Sequence, residues 1–214
     1  MAEQTMKNPQ LAAIEIEEMS RGSMIMKGAL AAGAIYGTMA VGPLVGRALA
    51  QGSTSDGDVE ILNFALTLEY LEAAFYEQAL AEVPDLSGEA SSLAKEIQGH
   101  EQEHVDALTA AIEDLGGKPV AAPGVDFGKA FADEDAFLEL AQTFEDTGVS
   151  AYNGAGPLIT DKAILGSAGA IVQIEARHAA AIRLQRGESP APEAFDMELS
   201  MDEVLKAVQP FVKS

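Results

Sequence analysis

The sequence predicts an all-α chain, a four-helix bundle made of two αα hairpins joined by a crossover, with a short extra helix at the C-terminus. Three observations predict it. One pattern occurs twice: Glu69 with Tyr76 and then Glu101-Gln-Glu-His104, followed by Glu145 with Tyr152 and then Glu175-Ala-Arg-His178. The second carboxylate–tyrosine pair follows the first by 76 residues, and the second Glu-x-x-His follows the first by 74. Four long segments carry apolar residues at helical spacing, and no segment has a convincing period-two alternation, so essentially no sheet is expected. The stop signals leave short turns inside each half and a longer linker between the halves.

Residues 1–50 stand apart from the bundle. Gly28 to Val45 is rich in Ala, Gly and Leu and carries no charge. It is followed by Ala48-Leu-Ala50, a small-x-small pattern of the kind signal peptidase cuts, with Gln51 as the new terminus. Ser20-Arg-Gly-Ser-Met-Ile-Met-Lys27 resembles a twin-arginine export signal in which Gly22 replaces the second arginine. The apolar stretch is weakly hydrophobic and contains Pro43, so a permanent membrane span is the poorer reading. The expectation is a degenerate twin-arginine-like signal peptide over 1–50 and a domain over 51–214 exported to the periplasm or cell envelope. An uncleaved anchoring segment is the alternative, and the only route by which the chain would touch a membrane.

After a polar leader from Gln51 to Gly57, helix one is expected from Asp58 to Glu82, where Val83-Pro84 stops it. Helix two should run from Gly88 to Leu115, ended by Gly116-Gly117 and Pro119. A Pro-, Gly- and Ala-rich linker from Lys118 to Gly128 leads to helix three, which starts near Asp133 and ends around Asn153 to Pro157. Helix four spans Asp161 to Arg186 and is closed by Gly187, and Ser200-Met-Asp-Glu203 is a capping box opening a last helix to about Val212. Rods of about 25 residues are roughly 38 Å long and bury enough surface only by lying side by side.

Helical phase, about 100° per residue, tests which polar residues point inward. On helix two, Leu93, Ile97, Leu108, Ala111 and Leu115 form one stripe, and Glu101 and His104 fall within it, whereas Glu96 and Glu103 point away. On helix four, Ile164, Ala168, Ile171 and Ile182 make the stripe that includes Glu175 and His178. Glu69 and Glu145 sit toward one side of wider apolar arcs, level with Tyr76 and Tyr152. Glu72 also faces inward, with Gly148 as its counterpart, so the repeat favours Glu69 as the helix-one ligand while phase alone leaves both open.

Carboxylates on core stripes need cations. An unpaired buried carboxylate costs several kcal/mol. One carboxylate on one helix and a Glu-x-x-His on the next, done twice, is the donor set of a two-metal site in a helical bundle. Two divalent ions would neutralise four carboxylates. Mixed carboxylate and imidazole donors suit iron or manganese, with zinc a further option. The chain has three histidines, and two stand at matched repeat positions.

His100-Glu-Gln-Glu-His104 also reads as the His-Glu-x-x-His of zinc metalloproteases. Against that, His100 lies at the edge of the core stripe, no strand edge is expected to hold a peptide, and Glu175-x-x-His178 goes unexplained. A further alternative is a metal-free bundle that serves as a stress or structural protein. Net charge is −21 in the 214-residue chain, from 13 basic and 34 acidic residues, which argues against nucleic-acid partners. Cysteine is absent, which removes thiolate sites and disulfides.

Leu62 to Tyr76 is similar to the first helix of the ferritin-like superfamily's exported, desiccation-associated branch. Ile174-Glu-Ala-Arg-His-Ala-Ala180 is similar to its last bundle helix, and the tail from Ala194 to Phe211 to its closing segment. The resemblance covers about Asp58 to Val212. It implies that Glu69, Glu101 and His104 hold one metal and Glu145, Glu175 and His178 the other, with Glu101 and Glu175 bridging and Glu72 an added carboxylate. It also implies that Tyr76 and Tyr152 lie beside the centre, as hydrogen-bond donors or radical traps. The function expected is an exported dinuclear iron or manganese protein acting on O₂, H₂O₂ or Fe(II) in stress protection, with metal ions and small oxidants as partners and homo-oligomers open.

Overall fold

The computed structural model describes residues 55–213, and the expected signal peptide lies outside the described residues. Four long helices follow in order: α1 (Ser55–Glu82), α2 (Gly88–Asp114), α3 (Glu134–Ala155) and α4 (Lys162–Gln185). A 3₁₀ turn (Gly156–Leu158) follows α3, and the short helix α5 (Met201–Val208) runs into a second 3₁₀ turn (Gln209–Phe211). α1 packs chiefly against α2 and α3 against α4, so the chain is two hairpins laid together.

Polar side chains fix where each helix begins. Ser87 accepts from the Ala90 amide, Asp133 from Ala136, and Asp161 from Ala163 and Ile164, each relieving an otherwise unpaired N-terminal donor. The capping box at Ser200 and Glu203 is formed in both directions. The hairpins are tied at both ends. The Glu134 carboxylate accepts from the Ser87 amide at 2.6 Å. At the other end, buried Asp58 of α1 accepts from the amides of Thr160 and Asp161, each at 2.9 Å.

The crossover is not loose. Val125 forms an isolated antiparallel bridge with Val212, and the Asp126 amide donates to Phe211 O at 2.9 Å. This bridge is the sole sheet-like pairing among the described residues. Around it Phe127, Phe131, Phe137 and Phe144 surround Phe75 at centroid distances of 5.0–5.5 Å. This aromatic plug closes one side of the bundle next to Tyr76, whose ring lies 5.3 Å from Phe75. No helix among the described residues is long and apolar enough to cross a membrane.

Candidate metal centre

Each bundle helix delivers its polar residues to the same depth. Glu69, Glu101, Glu145 and Glu175 are fully buried, and Glu72, His104 and His178 are nearly so. On α2 the buried stripe runs through Ala94, Ile97, Val105, Leu108 and Ile112, while Leu93, Ala111 and Leu115 are only half-buried. The stripe is turned from the expected one, and α2 makes most of its contacts with α1. Ile112 and Val59 of α1 both come within 3.0 Å of where a Cβ on Gly117 would stand.

The ligand atoms fall into two overlapping groups. Glu69, Glu101, His104 and Glu175 each offer one atom, all within 4.8 Å of one another, and Glu101, Glu145, Glu175 and His178 do the same. Glu101 and Glu175 are common to both. His104 Nδ1 lies 3.1 Å from Glu69 Oε2, 3.3 Å from Glu101 Oε2 and 3.0 Å from Glu175 Oε1. His178 Nδ1 lies 3.0 Å from Glu101 Oε1 and 3.3 Å from Glu145 Oε2.

Closeness is not pairing here. Glu101 Oε1, Glu145 Oε2, both Glu175 oxygens and His178 Nδ1 are buried and have no hydrogen-bond partner, although several lie near 3 Å from each other. These atoms face one another across the bundle centre, and both Glu101 and Glu175 belong to each ligand group. Orphaned buried polar atoms are uncommon in native folds and each demands a cause. The two groups could hold metal ions, and the donor set of carboxylates and imidazoles fits hard or borderline divalent ions.

Without a cation the cluster takes up protons. Burial and the neighbouring Glu101 charge push Glu69 up to about 8. Burial, then Glu175 and the other carboxylates, raise Glu72, and burial with Glu101 raises Glu175. Burial alone would lower both histidines, but the carboxylates override it, carrying His104 to about 12 and His178 to about 10. Glu101 is the exception: burial favours its neutral form, yet His104 and His178 hold it down at about 2.

The two tyrosines cross between the halves. Tyr76 of α1 donates to Glu145 Oε1 of α3, and Tyr152 of α3 donates to Glu69 Oε1 of α1 at 2.5 Å. Burial first, then the adjacent carboxylate, raises both hydroxyls well above their ordinary value, so they stay donors. Glu72 belongs to neither ligand group, and neither does His100. Instead His100 Nδ1 lies 2.9 Å from His178 Nε2, on the ring edge away from the cluster. That placement leaves the protease motif without its second zinc donor. Phase put His100 at the edge of the core but carried no sign of its partner on α4.

The sequence matches the ferritin-like domain family over residues 57–188. The chain belongs to that family. No curated protein matches the sequence. Among solved structures, the ferritin-like bundle is similar to a conserved hypothetical protein from Mycobacterium tuberculosis, at 18% identity and a TM-score of 0.57. That similarity covers 67% of this chain and 99% of the mycobacterial one, and it shows the shared fold.

Proposed function

We propose that this ferritin-like chain is exported and holds a pair of iron or manganese ions with which it acts on O₂, H₂O₂ or Fe(II), protecting the cell envelope. The observation that carries the reading is the sharing of Glu101 and Glu175 by two ligand groups at the bundle centre. Two carboxylates common to two groups are what a pair of neighbouring ions requires. Glu69 and His104 would complete one position, Glu145 and His178 the other. When bound, such a pair supplies one-electron changes at each ion, and hence two electrons in all, to a small oxidant.

The chain's own residues prepare the place. The aromatic plug around Phe75 keeps water from one side, which strengthens every charge interaction inside. Tyr76 and Tyr152 hold one oxygen each of Glu145 and Glu69, leaving the other oxygen of each turned toward the histidines. Export follows from the reading of residues 1–50, and detection of a mature chain beginning at Gln51 in the envelope fraction tests it.

Elemental analysis of natively purified protein tests the metal reading. Two Fe or Mn per chain are expected, and the double variant Glu101→Ala with His104→Ala should lose both. A metal-free wild type points to a non-catalytic bundle, and a single zinc to the protease reading. Two ions retained in the double variant place the site elsewhere.

A further inference from the structure

The two halves are not alike around the cluster. Where the first half has Glu72 and His100, the second has Gly148 and Ile174 at the repeat-related positions. Both additions are directed to one side. A Cβ on Gly148 would stand 3.1 Å from Glu72 Oε1 and 3.4 Å from Glu175 Oε2, so the missing side chain is what admits the Glu72 carboxylate. Glu72 therefore lies on the Oε2 side of Glu175. Of that carboxylate, Oε1 is the oxygen turned to His104, at 3.0 Å, while Oε2 is 3.9 Å from His178 Nδ1.

His100 acts on the same half. An imidazole that gives its Nδ1 lone pair to a metal carries its proton on Nε2, and His178 Nε2 lies 2.9 Å from His100 Nδ1. With the rings parallel to within 7°, His100 accepts that proton's hydrogen bond and holds His178 in the metal-binding tautomer. Ile174, standing where His100 does in the repeat, has no group that could do this for His104.

Resting on the dinuclear reading above, we infer that the two metal positions are inequivalent: the His178 position, served by Glu72 and His100 from the other half, holds its ion more tightly and fills first. Partners lying behind a metal ligand typically change metal affinity 10–100-fold.

The test is titration of metal-free, full-length protein with Mn(II), with free Mn(II) followed by electron paramagnetic resonance. Wild type should bind two ions in steps whose dissociation constants differ by about tenfold or more. His100→Ile and Glu72→Gln should each weaken the first step by about tenfold and leave the second unchanged. His104→Ala should keep the tight step, and His178→Ala should lose it. Circular dichroism checks the fold of each variant, and the near-isosteric Glu72→Gln decides the matter if a histidine variant does not fold. Two indistinguishable wild-type steps, a tight step surviving His178→Ala, or equal weakening of both steps by Glu72→Gln would overturn the inference. A wild-type chain that takes up no ion contradicts the dinuclear reading itself.

Discussion

Tyr152 and Glu69 show how much of the cluster's order rests on single groups. Among the described residues the hydroxyl is the hydrogen-bond donor to Glu69 Oε1, from a helix in the other half of the chain. In Tyr152→Phe that oxygen stays buried without a donor, a loss of about 1–3 kcal/mol. Thermal unfolding of the metal-free variant should register the loss, while the metal count stays at its wild-type value. A variant as stable as wild type would mean that this hydrogen bond adds nothing to the fold. Tyr76→Phe should behave in the same way, through Glu145.

At the scale of helices, the tail depends on a close approach to α3. The Leu199 amide donates to Ser150 O at 3.0 Å, and a Cβ on Gly154 would stand 1.9 Å from Leu199 O. Because the obstacle is backbone, Gly154→Ala must displace the segment, costing about 1–3 kcal/mol by the overpacking rule. Limited proteolysis should cut the variant before α5 faster than wild type, and an unchanged cleavage rate would count against the packing described. The helices themselves were legible in the sequence because their signals are local: Val83-Pro84 ends α1, Asp161 starts α4 and Ser200 opens α5. The inward turn of Glu101, His104, Glu175 and His178 followed from helical phase, which one segment carries by itself. What stayed hidden is non-local. The Val125–Val212 bridge, the Asp58 tie to Thr160 and the crossed tyrosine bonds each join residues far apart in the chain, and periodicity is blind to them. Gly148 was visible only as a gap in the repeat; that the gap receives Glu72 needed coordinates.

For the whole molecule, a centre this acidic makes folding, protons and metal one equilibrium. In the metal-free chain His104 and His178 keep their protons to about 12 and about 10, against an ordinary 6.5, and Glu69 to about 8 against 4.5. Each raised value stabilises the fold fully below the unfolded pKa and is lost as pH rises through the folded one. The metal-free protein should therefore unfold at lower temperature at pH 9 than at pH 6. A rise over that window would contradict the protonated cluster. A metal entering this centre would have to displace those protons, so loading should release protons and tighten with pH.

The measurement that bears most directly on the central claim is anomalous X-ray diffraction from crystals grown with Mn(II). Two peaks are expected between the four helices, about 3.5–4 Å apart, with Glu101 and Glu175 spanning them. No peak at the bundle centre, or a single peak away from Glu101 and Glu175, would contradict the account.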